Sequence, residues 1–183
     1  MNQIRCRWCN VNNPVYVAYH DEEWGTPQHD DQKLFELLVL ESFQAGLSWE
    51  TILNKRENFR TAFEEFDPYC VQHYGEEKIQ SLMADSGIIR NRHKIDAAIQ
   101  NARIFLEIQK EWGSFDAYIW HYTNMMTIYE VDQVTSALSD LISEDLKKRG
   151  MRFVGSTIIY SYLQAIGIIY SHDHNCFLSH AGQ

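Results

Sequence analysis

The stretch from Glu41 to Trp49 constrains the fold most, because it ends one helix, turns at a glycine and begins the next helix. Asp30 or Asp31 can cap the first of these helices, whose apolar residues recur at three- and four-residue steps along one face. Glu41 lies in phase with that apolar stripe, four residues after Leu37. A carboxylate on the buried face of a helix costs free energy unless a polar group meets it.

The sequence leaves two kinds of partner open for Glu41. An arginine or a backbone amide would make it a satisfied core acid, whereas a ligand would make it part of a binding pocket. Aromatic residues are dense nearby, with Trp49 just past the turn and further tyrosine and tryptophan rings between residues 16 and 24. Such rings around a buried carboxylate suit a flat, nitrogen-rich, partly cationic guest, and a nucleobase fits this description.

The remaining sequence predicts helices joined by short turns, and therefore an all-α fold. Apolar residues recur with helical spacing over residues 14–20, 30–45, 49–66, 76–85, 91–112, 115–122, 136–149 and 156–167. Strand-like alternation is scarce, and residues 168–170 form a run too short to count as a strand. Because the chain has only three prolines and no low-complexity linker, we expect one domain over residues 1–183, made of two lobes.

Two of these helices and the turn between them form a helix-hairpin-helix unit over about residues 76–112. Gly87 stops the first helix, and Asn91 can cap the second. Such a turn can expose backbone amides at a helix start, where the helix dipole favours an anion such as phosphate. The pair of glycines that is usual in such hairpins is absent here.

The formal net charge of −9 argues against a protein that coats nucleic acid nonspecifically. Basic residues nevertheless cluster in residues 55–60, 90–94 and 147–152. Such clusters are usually solvated faces, but a compact basic footprint also allows contacts with a few phosphates. No apolar run reaches the length of a membrane span and the N-terminus has no signal-peptide pattern, which predicts a cytoplasmic location.

Thiol and imidazole side chains gather near both ends of the chain, at Cys6, Cys9, His20, His172, His174, Cys176 and His180. In a reducing compartment, cysteines indicate thiols or metal ligands rather than disulfides. Four such ligands predict tetrahedral zinc, and a complete set of four leaves no position for water, so we expect a structural ion. Spacing alone leaves several ligand sets open, including a Cys-x-x-Cys pair, as well as a scatter of unliganded side chains.

Six segments of the chain carry a more specific signal. They are RCxW at 5–8, AYHDxEWG at 18–25, QAGLSW at 44–49, KREN at 55–58, GIIR at 87–90 and LKKRGxxFVG at 146–155. In this order, and over nearly the whole chain, they resemble the constitutive, type I family of 3-methyladenine DNA glycosylases. That family belongs to the helix-hairpin-helix DNA glycosylase superfamily.

The resemblance implies a metal site and a base pocket. The implied zinc site joins the N-terminal segment (1–20) to the C-terminal segment (170–183) through Cys6, His20, His172 and Cys176. Cys9 and His174 then fall outside the ligand set. In the implied pocket, Glu41 hydrogen-bonds the purine edge, Trp49 stacks on the base, and the aromatic wall is completed by Tyr16, Tyr19 and Trp24.

The activity implied by the resemblance is removal of 3-methyladenine from alkylated double-stranded DNA, with the free base as product. The catalytic aspartate of most of the superfamily is missing from residues 107–114, as it is in type I enzymes. Because N3-methylated adenine is a cation that departs as a neutral base, little acid catalysis is needed. We assign no residue as a covalent nucleophile, so we expect hydrolysis without a lyase step. Nothing in the sequence demands more than one copy of the chain, so we expect a monomer.

Further residues are expected to contact the DNA. Gly46 and Leu47 are candidates for a wedge in the gap left by the flipped nucleotide, although a helix stop and a core leucine are the plainer interpretation. Phosphate contacts are expected from the hairpin, at Gly87, Arg90, Arg92 and Lys94. Two other functions remain open: a helix-hairpin-helix DNA-binding module without catalysis but with structural zinc, and a zinc hydrolase.

Overall fold

A computed structural model describes residues 3–179, and it confirms the prediction of a helical fold. The α-helices are α1 (Pro14–Ala18), α2 (Asp31–Gln44), α3 (Trp49–Leu53), α4 (Arg56–Ala62), α5 (Pro68–Val71), α6 (Glu76–Ala84), α7 (Arg92–Trp112), α8 (Phe115–His121), α9 (Ala137–Lys148) and α10 (Ser156–Ala165). A π-helical turn, Tyr19–Glu23, follows α1, and a 3-10 turn, Glu64–Phe66, follows α4. None of the helices in the described part of the chain is long and apolar enough to cross a membrane.

Helix α2 is the central element of the fold. All of its residues from Leu34 to Phe43 are buried, and α3, α7, α8 and α10 pack around it. A helix that is buried on every side needs apolar residues all round, and α2 satisfies this except at Glu36, Glu41 and Ser42. Asp30 caps the helix by accepting a hydrogen bond from the Lys33 backbone amide, as one of the two predicted caps.

The predicted helix-hairpin-helix unit is present as α6, a turn over residues 85–91, and α7. The side chain of Asn91 accepts a hydrogen bond from the backbone amide of Lys94 and so caps α7, as expected. Gly87 lies in the turn, where its amide donates to the Asp85 carboxylate over 2.7 Å.

The division of the chain into two lobes stays a prediction.

The helix predicted over residues 14–20 is present, as α1 continued by the π-helical turn Tyr19–Glu23. Two other local predictions were wrong. The helix predicted over residues 49–66 breaks after α3, at Asn54 and Lys55, and resumes as α4. Residues Ile169–Tyr170, at the end of the run judged too short for a strand, pair in parallel with Ile128–Tyr129, an interaction across forty residues that no local pattern shows. We call these strands β1 (Ile128–Tyr129) and β2 (Ile169–Tyr170).

Candidate functional site

A cavity of about 390 Å³ opens beside the C-terminal half of α2. Its size is in the range of small-molecule sites in proteins. All five residues assigned to a base pocket from the sequence line it, and they come from two stretches of the chain, 16–24 and 41–49: Tyr16, Tyr19, Trp24, Glu41 and Trp49. The π-helical turn contributes to the cavity, because it carries the buried Tyr19 side chain that lines it.

Glu41 is the unusual group in this cavity. Its side chain is buried, with only 4% of the residue exposed, and its Oε2 atom has no hydrogen-bond partner within residues 3–179. Burial raises the pKa of the Glu41 carboxyl to about 8. Arg56, a candidate for a neutralising arginine, is bonded to Glu23 and Glu36 instead. Of the two kinds of partner that the sequence left open, the core arginine is therefore ruled out for the described chain.

The aromatic wall consists of rings in contact with one another. The rings of Tyr19 and Trp49 lie 5.2 Å apart between centroids, tilted by 48°. The Trp49 indole Nε1 is buried and, like Glu41 Oε2, has no partner in the described residues. A buried polar atom left unpaired costs about 1–3 kcal/mol. A donor and an acceptor that both line one cavity therefore favour a guest with complementary polar edges.

Trp8 is a cavity residue that the sequence analysis did not assign to the pocket. It lines the cavity, and its ring packs edge-on against Trp24, with 4.7 Å between the centroids. The signal was present, since Trp8 ends the RCxW segment. Its ring also lies 5.4 Å from that of Tyr16, so Trp8 joins two parts of the predicted wall.

An ion-pair network supports the turn that carries Tyr19. Arg56 on α4 donates through Nη1 and Nη2 to the two carboxylate oxygens of Glu23, both over 2.7 Å. The same guanidinium donates to Glu36 on α2, which also accepts from Arg60. The network was missed because a lone arginine in the KREN segment gives no indication of two distant acids.

Four predicted metal ligands meet in one buried cluster: Cys6, His20, His172 and Cys176. Their ligand atoms all lie within 4.8 Å of one another, and Cys6 Sγ, for example, is 3.4 Å from His172 Nδ1. Cys176 Sγ is 3.5 Å from His20 Nε2. Around tetrahedral zinc, with Zn–S of about 2.3 Å and Zn–N of about 2.0 Å, sulfur and nitrogen ligands lie about 3.5 Å apart. The donor set and its spacing therefore fit one such ion.

The surroundings of the cluster also suit a cation. His20 Nδ1 lies 2.7 Å from Asp21 Oδ1, an arrangement that leaves Nε2 to face the thiols. Burial raises the pKa of the Cys6 thiol to about 12, so two thiolates would be stable here only beside a positive ion. Burial, together with nearby His20, lowers the pKa of His172 to about 4, which keeps this imidazole neutral.

The remaining candidate ligands lie elsewhere. The Cys9 thiol is outside the cluster and directs its sulfur at the carbonyl oxygen of Tyr16, 3.9 Å away. His174 is exposed, and His180 lies outside the described residues. The structure thus brings together the set implied by the resemblance and leaves Cys9, the second member of the alternative Cys-x-x-Cys pair, outside the cluster.

The residues expected to contact DNA fall into two groups. Gly46 has a φ of +80° that favours glycine, and Leu47 beside it is 40% exposed, so the plainer interpretation of Leu47 as a core residue was wrong. Arg90 is exposed in the hairpin turn, near the half-buried Gly87. These four residues are accessible.

Arg92 and Lys94 are both engaged within the protein and are not free to contact phosphate as expected. Arg92 is held by Glu76, with Nη2 2.7 Å from Oε2, and must release this acid before it meets a phosphate. Lys94 is buried, and its ammonium donates to the carbonyl oxygens of Phe43 and Ala45, over 2.8 and 2.6 Å. The prediction of a phosphate contact for Lys94 was therefore wrong, because its charged end points into the protein.

Comparison with known proteins identifies the relatives of this chain. The sequence model of the methyladenine glycosylase family matches residues 8–179. The chain belongs to this family. It is 46% identical over 179 residues to DNA-3-methyladenine glycosylase 1 of Escherichia coli strain K12, covering 94% of this chain and 95% of that protein.

Solved structures of methyladenine glycosylases share the fold. A crystal structure of 3-methyladenine DNA glycosylase I has a TM-score of 0.91 and 42% identity, covering 96% of this chain and 99% of that one. A tyrosine-to-phenylalanine variant of such an enzyme in complex with 3-methyladenine has a TM-score of 0.90 and 34% identity, covering 94% and 96% of the two chains. The resemblance found in the sequence is thereby confirmed at the level of family and fold.

Proposed function

We propose that this chain is a DNA-3-methyladenine glycosylase that removes the methylated base by hydrolysis. The observation that carries the proposal is the unpaired, buried Glu41 carboxyl in a cavity walled by aromatic rings. The family supports it, since the Escherichia coli relative is named for this activity and a related enzyme was crystallised with 3-methyladenine. An unpaired acid in the core is costly, and a pure DNA-binding module would have no use for it.

The cavity favours the cationic base in DNA over a neutral one. With a pKa of about 8, the Glu41 carboxyl is mostly protonated at neutral pH while the cavity is empty. A cationic purine favours the ionised form, so Glu41 loses its proton and accepts hydrogen bonds from the amino group and ring edge. The faces of Trp49 and its neighbouring rings attract the same positive charge.

Bond cleavage then follows from the charge on the base. The electron pair of the glycosidic bond moves to the ring nitrogen and neutralises the purine, while positive charge develops on the sugar. Water adds to the sugar carbon and loses a proton, which leaves an abasic site and free 3-methyladenine. Glu41 contributes by holding the base in position, and no covalent intermediate with the protein forms.

We propose that duplex DNA lies across the exposed end of α2 and the hairpin. Extracting a base from the stack costs a few kcal/mol, and Leu47 on its glycine turn is placed to fill the gap. Arg90 and the backbone around Gly87 contact phosphates, and Arg92 joins them when it leaves Glu76. An otherwise acidic chain thus carries a small basic footprint beside the wedge.

We further propose that Cys6, His20, His172 and Cys176 hold one structural zinc ion. Bound zinc would cross-link the two ends of the chain, since its ligands come from residues 6–20 and 172–176. With four protein ligands it has no position for water, which argues against the zinc hydrolase alternative. The thiol ligands suit a reducing cytoplasm, so we propose a cytoplasmic location, and we propose that the protein acts as a monomer.

The activity is tested with methylated duplex DNA. We expect the protein to release 3-methyladenine well above the spontaneous rate, leaving abasic sites without strand cleavage. Chromatography of the released bases, and gel electrophoresis of the DNA without alkali, measure the two outcomes. Release no faster than in buffer would overturn the proposed function in favour of the non-catalytic DNA-binding module.

The ligand assignment is tested with a matched pair of cysteine variants. Cys6→Ser should lose most of its bound zinc and unfold at a lower temperature, because it removes one of four ligands and leaves a poorly satisfied site. Cys9→Ser changes a buried thiol in the same segment outside the cluster and should keep full occupancy. Metal analysis after dialysis measures the zinc content of the two variants. Loss of zinc from Cys9→Ser but not from Cys6→Ser would mean that the ligands are misassigned.

A further inference from the structure

Lys94 joins two parts of the structure that the proposed function places on the DNA. It lies in the first turn of α7, three residues after the hairpin cap Asn91. Its ammonium group donates to the carbonyl oxygens of Phe43 and Ala45, at the C-terminal end of α2. The residues after Ala45 are Gly46 and Leu47, the proposed wedge.

The turn after α2 satisfies only part of the helix end. The last carbonyl groups of a helix have no partner within it, and a glycine in the left-handed region commonly provides a cap. Gly46 has this conformation, with a φ of +80°, but Ala45 before it has left the helical region, with φ −46° and ψ 114°, and the Leu47 amide donates to the Gln44 carbonyl. Lys94 supplies donors to the carbonyls of Phe43 and Ala45, at the negative end of the helix dipole.

The turn that carries the wedge is open on its outer side. Leu47 is 40% exposed, and no atom of the described residues lies within 4 Å of the position that a Cβ atom on Gly46 would occupy. The Lys94 ammonium fixes the carbonyl immediately before this turn, so the start of the turn moves with α7 and its hairpin.

We propose that Lys94 is a positioning residue that fixes the Leu47 wedge relative to the phosphate-binding hairpin. When the hairpin is seated on the backbone, the wedge then meets the base stack at a preset place, without a separate ordering step. This inference rests on the proposed function, because it concerns extraction of the base from duplex DNA. It assigns Lys94 no contact with the base or the DNA.

The test compares two readouts in the full-length protein: single-turnover release of 3-methyladenine from methylated duplex DNA, and binding of free 3-methyladenine by tryptophan fluorescence. Lys94→Met should slow release by about 10- to 100-fold, the cost of a misplaced group of this kind, and should leave free-base affinity within about twofold of the unmodified protein. Lys94→Arg keeps the donors and should restore most of the rate. Lys110→Met removes an exposed charge from the same helix and should change neither readout.

A double-variant cycle shows whether Lys94 acts through Leu47. Leu47→Ala alone should also slow release, and adding Lys94→Met should slow it little further, since both changes remove the same wedge. Three results would each overturn the inference: effects of the two changes on the release rate that multiply, an unchanged release rate in Lys94→Met, or a loss of free-base affinity along with release. Failure of the unmodified protein to release 3-methyladenine would instead count against the proposed function.

Discussion

Glu41→Gln should stabilise the empty protein at alkaline pH while weakening its affinity for free 3-methyladenine. The stabilisation is expected because the buried carboxyl must ionise without a partner, whereas an amide cannot ionise. The loss of affinity is expected because an amide accepts fewer hydrogen bonds than a carboxylate and carries no charge. A residue retained for packing alone would not show these opposite effects.

The pH dependence has a definite sign. The Glu41 pKa is raised from 4.5 to about 8 in the folded protein, so the unfolded chain loses this proton first as the pH rises. Its contribution to stability is fully present below pH 4.5 and is lost as the pH rises through about 8. At about 1.4 kcal/mol per pKa unit the loss approaches about 5 kcal/mol, and we expect a gain of about 2–4 kcal/mol for Glu41→Gln because the amide is also desolvated.

Urea unfolding between pH 6 and 9 measures this gain. The difference in unfolding free energy between Glu41→Gln and the unmodified protein should widen with pH and level off above pH 8. Glu107→Gln makes the same chemical change at an exposed position on α7 and should show no such trend. A variant that is less stable across the whole range would mean that Glu41 has a partner in the folded protein.

Arg56→Met should have the largest effect on stability. It leaves Glu36 and Glu23 without their shared guanidinium, and the loss of one member of a buried ion pair costs about 3–5 kcal/mol. Glu23 ends the π-helical turn, so loosening it should also lower free-base affinity through Tyr19 and metal retention through His20. Fluorescence titration and metal analysis measure these two effects.

The control for Arg56→Met is Arg92→Met. Arg92 forms an equally short ion pair with Glu76, but its side chain is 44% exposed, and exposed pairs contribute less than about 1 kcal/mol. Urea unfolding at one pH compares the two variants. Equal losses of stability would contradict the account, because they would show that burial of the network around Arg56 has no consequence.

Local signals in the sequence were enough for much of the framework. The Asp30 and Asn91 caps, the placement of Glu41 on the buried face of α2 and the hairpin all depend on residues within a few positions of one another. Local signals were not enough to predict the four clustered Cys and His side chains, because the spacing of these residues allowed several ligand sets. The resemblance to a known family selected the set that the structure brings together.

What the sequence did not show depends on residues far apart in the chain. Lys94 belongs to a basic cluster that indicated phosphate contacts, and only the approach of α2 to α7 shows that its ammonium is buried. The ion pairs of Arg56 and the pairing of β1 with β2 likewise join segments that are distant in sequence. Trp8 is the exception, since its motif was seen but its place in the wall was not inferred.

The proposed function requires a Glu41 carboxyl that is unpaired until a methylated purine binds beside it. Carbon-13 NMR titration of the glutamate carboxyls, with Glu41→Gln to assign the signal, measures this directly. We expect a midpoint near pH 8 in the free protein, which should fall clearly when 3-methyladenine is added. A midpoint near the usual 4.5, or one that 3-methyladenine leaves unchanged, would contradict it.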